Sequence, residues 1–272
     1  MIDPPMTSPS KNEPRADAIG PDITIDGLAV ANVYRDQLVT HVLECLSHGV
    51  GGWIVTANTD FLARIAKSPA LGALYRQADV IVADGVPLVW ASKLAGTPLV
   101  DRVAGSDLVW LLAERGSVVG RSIYLLGGDD GVAERACRVL GESFPELEVS
   151  GFSSPWVANP PTDAEIDGIR RELRRAPADI VYVALSSPKQ EHVIQRLRDD
   201  FPRTWFIGVG ISFSFIVGEV KRAPGWMQKL GIEWIHRLIQ EPRKLAKRYL
   251  IDDLPFGIGL MWRSLRARSG RR

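Results

Sequence analysis

The sequence predicts an α/β fold: a Rossmann-like, mostly parallel sheet flanked by helices, with a basic helical appendage at the C-terminus. Three observations carry that expectation. Six short apolar, β-branched runs recur between stretches of helical periodicity, the alternation of a parallel sheet wound from βα units. Each run is too uniformly apolar to face water on one side, as expected of strands covered on both faces. From about Ala223 onward no further strand pattern appears, and the chain becomes Trp-bearing and rich in Lys and Arg.

Residues 1–22 read as a flexible arm, because Pro4, Pro5, Pro9, Pro14 and Pro21 stand among Ser, Asn and charged residues with no apolar h-region of a signal peptide. Ile23 to Ala31, with Gly27 at its centre, reads as a short hairpin at the sheet edge. The strand candidates are Trp53 to Ala57, Val80 to Ala83, Ser122 to Leu126, Glu148 to Phe152, Ile180 to Leu185 and Trp205 to Val209. Between them Val132, Ala136, Val139 and Leu140 repeat at helical spacing, as do Ile166, Ile169 and Leu173. These elements place an α/β core at 23–220 and the appendage at 221–272. In the appendage Trp226, Leu230, Trp234 and Leu238 stand four apart, which predicts one shared helix face, and Pro242 and Pro255 punctuate the later segments. The apolar stretch Leu254 to Trp262 falls well short of the roughly 20 residues of a membrane span. It is expected to lie on a membrane, not to cross it.

With 272 residues, 46% hydrophobic and 24% charged, the chain has the balance of a folded enzyme-sized body. Cys45 and Cys137 are its only cysteines, too few for a disulfide framework and without the Cys-x-x-Cys spacing of zinc or redox sites. A reducing, cytoplasmic setting fits best. The net charge of +1 conceals a division: residues 221–272 carry 13 Lys or Arg against 4 Asp or Glu, the remainder 20 against 28. A basic end of this kind points to an anionic partner, with a solvated helical face as the plain alternative. No His-Glu-x-x-His or Walker A pattern occurs, and His41, His48, His192 and His236 lack metal-ligand spacing.

Ligands of open α/β sheets bind beyond the carboxyl ends of the strands, so the polar residues there come first. Asp84 ends an apolar strand and precedes a glycine. A carboxylate on the sheet rim is a good seat for a general base, and a helix N-cap is the competing role. Thr56 and Asn58 offer a hydroxyl and an amide to sugar or phosphate groups, or serve as turn and cap residues. The loop Gly127-Gly128-Asp129-Asp130-Gly131 is a weak phosphate-cradle signal, lacking the Gly-x-Gly-x-x-Gly spacing of a dinucleotide site. A reaction that expels a diphosphate needs positive charge to receive it. No Asp-x-Asp occurs to hold a divalent cation, which leaves arginines and helix N-termini for that task, with Arg222, Arg237, Arg243 and Arg248 on offer.

Read in order, these segments resemble the WecG/TagA/CpsF family, glycosyltransferase family 26. Thr56-Ala57-Asn58 is similar to its Thr-x-Asn block, Asp84-Gly85-Val86-Pro87 to its Asp-Gly block, and Arg102 to Leu108 to its Arg-x-x-Gly-x-Asp-Leu segment. Pro188-Lys189-Gln190-Glu191, Lys221-Arg222-Ala223-Pro224, and Gly231-Ile232-Glu233-Trp234 with Arg237 and Glu241-Pro242-Arg243 come next, in the family's order. The resemblance covers about Ile23 to Leu254.

The resemblance implies an inverting, metal-independent transferase that needs no cofactor and moves sugar from a UDP-sugar donor to a polyprenyl-diphosphate-linked sugar. It would act peripherally at the cytoplasmic face of the cytoplasmic membrane, in synthesis of cell-surface polysaccharides such as teichoic-acid linkage units and enterobacterial common antigen. In that reading Asp84 is the base, with Thr56 beside it in the catalytic set. Asn58 lines the sugar site, Arg102, Gln190 and Glu191 belong to the substrate-binding blocks, and Arg222, Arg237 and Arg243 contact the diphosphate. The implied partners are donor, lipid-linked acceptor and an anionic membrane surface, not nucleic acid; a homo-oligomer is left open. Two positions depart from the family pattern. Ser214 stands where the family has an aspartate, and Ala184-Leu185-Ser186-Ser187 replaces a glycine-bearing turn, so the donor pocket is expected to differ. The competing readings are a non-catalytic membrane-docking nucleotide-binding module and a nicotinamide-dependent oxidoreductase, the latter opposed by the missing glycine fingerprint.

Overall fold

The computed structural model describes residues 19–269, so residues 1–18 of the expected arm and 270–272 of the basic tail lie outside the described residues. The strands β1 (Gly20–Ile25) and β2 (Leu28–Asn32) form an antiparallel hairpin that turns through Asp26 and Gly27, both at positive φ. Two details differ from expectation. The hairpin begins at Gly20, within the stretch read as arm, and it is a separate two-stranded sheet instead of an edge of the main one. Next, α1 (Arg35–Ser47) leads to β3 (Gly52–Ala57), and α2 (Thr59–Lys67) with α3 (Pro69–Tyr75) to β4 (Val80–Ala83). Helices α4 (Val86–Leu94) and α5 (Gly105–Val118) precede β5 (Ser122–Gly127), α6 (Val132–Ser143) precedes β6 (Glu148–Ser153), and α7 (Asp163–Arg175) precedes β7 (Ile180–Ala184). Then α8 (Lys189–Leu197) and a 3-10 turn (Arg198–Asp200) lead to β8 (Trp205–Gly208). The appendage is reached through α9 (Ser212–Ile216). It holds α10 (Gly225–Lys229), α11 (Glu233–Gln240), α12 (Pro242–Ala246), a π-helical turn (Lys247–Asp253) and α13 (Leu254–Ser269).

The main sheet has six strands in the order β4-β3-β8-β7-β5-β6, all pairings parallel. Each strand lies within one residue of its expected ends. Why the runs are uniformly apolar is now explicit. Successive residues of a strand point to opposite faces, and both faces are covered: Trp53, Val55 and Phe206 pack on one side, Ile54, Trp205 and Ile207 on the other. Edge strand β6 is the exception, with no residue fully buried.

The appendage corrects one expectation. Trp226 and Leu230 do not share a helix face with Trp234 and Leu238, because Gly231 at φ +67° separates α10 from α11. A glycine is required there twice over: for the left-handed conformation, and because a Cβ would lie 2.7 Å from the Cβ of Val86. The stretch Leu254 to Trp262 is helical and divided between two environments. Leu260 is buried in the same cluster as Leu88 and Ala91 of α4, while Leu254, Ile258 and Trp262 are exposed. Among the described residues no helix is long and apolar enough to cross a membrane.

Candidate active site

Parallel strands all end at one edge, and beyond that edge lies a cleft of about 1040 Å³. Every strand of the main sheet contributes at its carboxyl end: Thr56, Asp84, Gly128, Ser154, Ser186 and Gly208. The appendage forms the facing wall through Glu233, Trp234, Arg237, Arg248 and Ile258.

Asp84 follows β4 on the cleft floor. It does not cap the helix after it, whose N-cap is Gly85; instead its Oδ2 accepts from the backbone N–H of Gly105, 3.3 Å away in the first turn of α5. Burial pushes its pKa up to about 6, against the opposing pull of Arg102 and the Gly105 N–H, with Glu233 and Asp107 adding to the rise. The 28% of the side chain left exposed lies on the cleft lining, so a ligand can reach the carboxylate.

Around Asp84 lies a network of ions. Arg102 Nη1 stands 4.0 Å from Asp84 Oδ1 and 3.6 Å from Glu233 Oε2, and its Nη2 3.8 Å from Asp107 Oδ2. Asp107 also holds Arg222 at 2.5 Å and Arg35 at 3.5 Å. Asp107 is thus the hub that brings Arg222, from the start of the appendage, to the core beside Asp84. Further along the wall Arg237 pairs with Glu241 at 3.6 Å and lies over the Phe215 ring. The Nε–H groups of Arg222 and Arg237 are buried with no hydrogen-bond acceptor among the described residues. A third group joins Asp60 to Arg64 at 2.8 Å and to Arg248 at 3.3 Å, and Arg248 in turn to Asp253 at 3.4 Å, fastening the π-helical turn to α2.

Thr56 donates its hydroxyl to the Gly208 carbonyl at 3.2 Å, tying β3 to β8 at the cleft floor. Asn58 is the N-cap of α2, its Oδ1 accepting from Asp60 and Phe61 N–H, which leaves its amide N–H groups for the cleft. Gln190 is fixed from both ends: Nε2 donates to Glu191 Oε1 at 2.7 Å, and Oε1 accepts from Gly210 N–H at 3.2 Å. Those partners dictate which way the amide faces. A Cβ on Gly208 would meet Gln190 Nε2 at 2.6 Å, so glycine there makes room for the side chain. Glu191 itself is 1% exposed, behind the cleft wall, and burial pushes its pKa up to about 7.

Of the residues singled out from sequence, Thr56, Asn58, Asp84, Arg102, Gln190 and Arg237 line the cleft. Glu191 and Arg222 stand one layer behind it, against Gln190 and Asp107. Arg243 is not brought in: it is exposed on α12, outside the lining. Ser214 is buried on α9 and does line the cleft. Sequence reasoning overlooked Asp253, Tyr249 and Trp156, all on the lining. None belongs to a periodic pattern or a strand end that could have flagged it. Among the described residues no three His, Cys, Asp or Glu side chains gather into a metal-ligating group.

The chain is similar in sequence to known proteins. Over 199 residues, 73% of this chain and 75% of the relative, it is 32% identical to the N-acetylglucosaminyldiphosphoundecaprenol N-acetyl-beta-D-mannosaminyltransferase of Bacillus spizizenii. It is 30% identical over 209 residues to the protein of the same name from Bacillus subtilis strain 168, covering 77% and 78% of the two chains. The sequence pattern of the glycosyl transferase WecG/TagA/CpsF family matches residues 23–270. With the match spanning both the sheet that carries Asp84 and the appendage that faces it, the chain belongs to the WecG/TagA/CpsF family of glycosyl transferases.

Proposed function

We propose that the protein transfers a sugar from a UDP-sugar to a polyprenyl-diphosphate-linked sugar, inverting the anomeric configuration without a metal ion. The observation that carries this reading is Asp84, a carboxylate with raised proton affinity on the floor of a cleft whose opposite wall is arginine-bearing. The relatives' names supply the acceptor class, an N-acetylglucosaminyl-diphospho-undecaprenol.

Asp84 takes the proton of the acceptor hydroxyl as that oxygen attacks the anomeric carbon of the donor. The bond from that carbon to the phosphate oxygen breaks on the opposite face, and the electron pair leaves with UDP. A pKa near 6 makes Asp84 a better base than an ordinary carboxylate while leaving it ionised at neutral pH. Arg102 and Arg237, which line the cleft, neutralise the departing diphosphate, and Arg222 adds its charge from one layer behind, held on Asp107. Thr56 holds the floor, while Asn58 and Gln190 present amide N–H groups to sugar or phosphate oxygens. Arg243, with the exposed apolar and basic side chains of the appendage, faces an anionic membrane at its cytoplasmic side.

The test is to incubate the protein with a panel of UDP-sugars and a short-chain polyprenyl-diphosphate-N-acetylglucosamine, and to identify the product by mass spectrometry. A disaccharide-lipid and equimolar UDP are expected. Absence of product from every UDP-sugar, with the protein folded, would refute the reading.

A further inference from the structure

Among the described residues four large apolar side chains are both exposed and on the cleft lining: Trp90, Trp156, Leu254 and Ile258. Trp156 stands apart in the loop after β6, whereas the other three belong to two helices in contact with each other. On α4, Trp90 is 44% exposed; on α13, Leu254 and Ile258 are 43% and 55% exposed. The pair of helices is anchored from below, where Leu260 of α13 shares a buried cluster with Leu88 and Ala91 of α4.

The apolar face does not stop at the cleft. Leu254, Ile258, Trp262 and Leu265 recur at helical spacing and form one exposed stripe along α13, while Leu260 and Ser264 on the opposite side are buried. The stripe is about 16 Å long at the rise of an α-helix. Its first two residues line the cleft and its last two do not, so it leads out of the site, toward the exposed Arg266 and Arg268. Contiguous exposed apolar surface of this kind marks a place where another apolar group is received.

The reacting groups say which one. Asp84 directly precedes Gly85, the N-cap of α4, so the apolar helices adjoin the candidate base. An acceptor with its attacking hydroxyl at Asp84 carries a sugar ring and a diphosphate, and then a branched hydrocarbon chain. A UDP-sugar has no such chain and nothing to set against exposed aliphatic groups. Isoprene units do, and they gain free energy in proportion to the area they lose from water.

We propose that Trp90, Leu254 and Ile258 form the subsite for the first isoprene units of the lipid-linked acceptor, with the rest of the α13 stripe leading the chain out of the cleft. The inference rests on the acceptor reading given above and assigns the part of the acceptor that does not react. The experiment measures kcat/KM for two acceptors, the methyl and the farnesyl ester of N-acetylglucosamine diphosphate. Both are used below their micelle concentration and without vesicles, with the full chain and its Leu254→Ser, Ile258→Ser and Ile258→Leu variants. The positions are exposed, so the variants are expected to fold, which thermal denaturation verifies. Wild type should favour the farnesyl ester about tenfold to a hundredfold, the scale of burying part of three isoprene units. Each serine variant should cut that ratio about threefold to tenfold, and Ile258→Leu should keep it. A wild-type ratio near one, with both esters used, would overturn the subsite and leave the acceptor reading intact. Serine variants that slow both esters alike would also overturn it, by showing a disturbed cleft. So would an unchanged ratio, and two further readings would then name the occupant: a dimer that Ile258→Ser dissolves, seen by light scattering, gives the face to a second copy, and a loss seen only on vesicles gives it to the membrane surface. A wild type that uses neither ester with any UDP-sugar would remove the acceptor reading and the subsite with it.

Discussion

Arg102 of the core and Glu233 of the appendage form an ion pair, Nη1 to Oε2 at 3.6 Å, and the same nitrogen lies 4.0 Å from Asp84 Oδ1. The candidate base is therefore poised partly by the appendage. Arg102 holds the pKa of Asp84 down, whereas burial and Glu233 push it up. In the Arg102→Gln variant the pKa of Asp84 should rise above its present value of about 6. The acid limb of the kcat/KM profile is then expected to move to higher pH. An unmoved limb, measured from about pH 5 to 9, would separate Arg102 from the base.

Asp84→Asn keeps the shape and the contact with the Gly105 amide but cannot accept a proton. Turnover should fall about a hundredfold to ten-thousandfold, with melting temperature and UDP affinity close to wild type. For wild type the base must be ionised, so kcat/KM should drop as pH falls through about 6. Near-normal turnover of the variant, measured by UDP release, would assign the base elsewhere.

Five of the six strands were legible because burial on both faces calls for apolar residues throughout, β6 being the exposed exception, and Asp84 was legible because a charge closing such a run is placed at the rim. The break at Gly231 was also legible in principle, since a glycine after Leu230 is a helix-stop signal that the four-residue spacing of the tryptophans and leucines obscured. Asp107 as hub was not. Of its partners only Arg102 is near in sequence; Arg35 and Arg222 come from segments more than 70 residues away on either side, and only folding brings them to the same carboxylate. Trp156 was hidden for a different reason, because an exposed aromatic in a loop carries no periodicity.

Glu191 makes a stability prediction of definite sign. Its pKa rises from an ordinary 4.5 to about 7 in the fold, burial being the main cause. Between those values the folded state holds more protons than the unfolded one, so stability is lost as pH rises through the window, and the loss continues above a pKa of about 7 only in that it is then complete. Glu191→Gln removes the titration while its new amide oxygen can still accept from Gln190. Relative to wild type, the variant should gain about 1 to 3 kcal/mol more at about pH 8 than at about pH 5, as read from urea unfolding at both pH values. A pH-independent difference would show that Glu191 does not titrate there.

Arginines acting on the diphosphate predict activity that persists in excess EDTA. Arg237→Ala should lower turnover, and added magnesium should not restore it. Strict dependence on magnesium or manganese after chelation would contradict the proposed mechanism.

The proposed function requires the appendage to join membrane contact to catalysis. Ile251, Ile258 and Trp262 are exposed on it among basic residues, each of which favours an anionic leaflet by roughly 1 kcal/mol near the surface. The same segment carries Glu233 and Arg237 into the cleft, so docking and site assembly involve one element. Deleting it is a poor test, because Leu260 belongs to the core cluster of Leu88 and Ala91, and a chain ending at Gly218 should expose that surface and aggregate. Single charges are cleaner. Ile251→Glu and Trp262→Glu, at exposed positions, should leave folding and UDP binding unchanged. They should also reduce sedimentation with anionic liposomes and slow transfer to a vesicle-borne acceptor more than to a detergent-soluble short-chain one. Wild-type sedimentation should itself weaken at high salt. Liposome binding that neither salt nor these substitutions changes would place the membrane contact on another face.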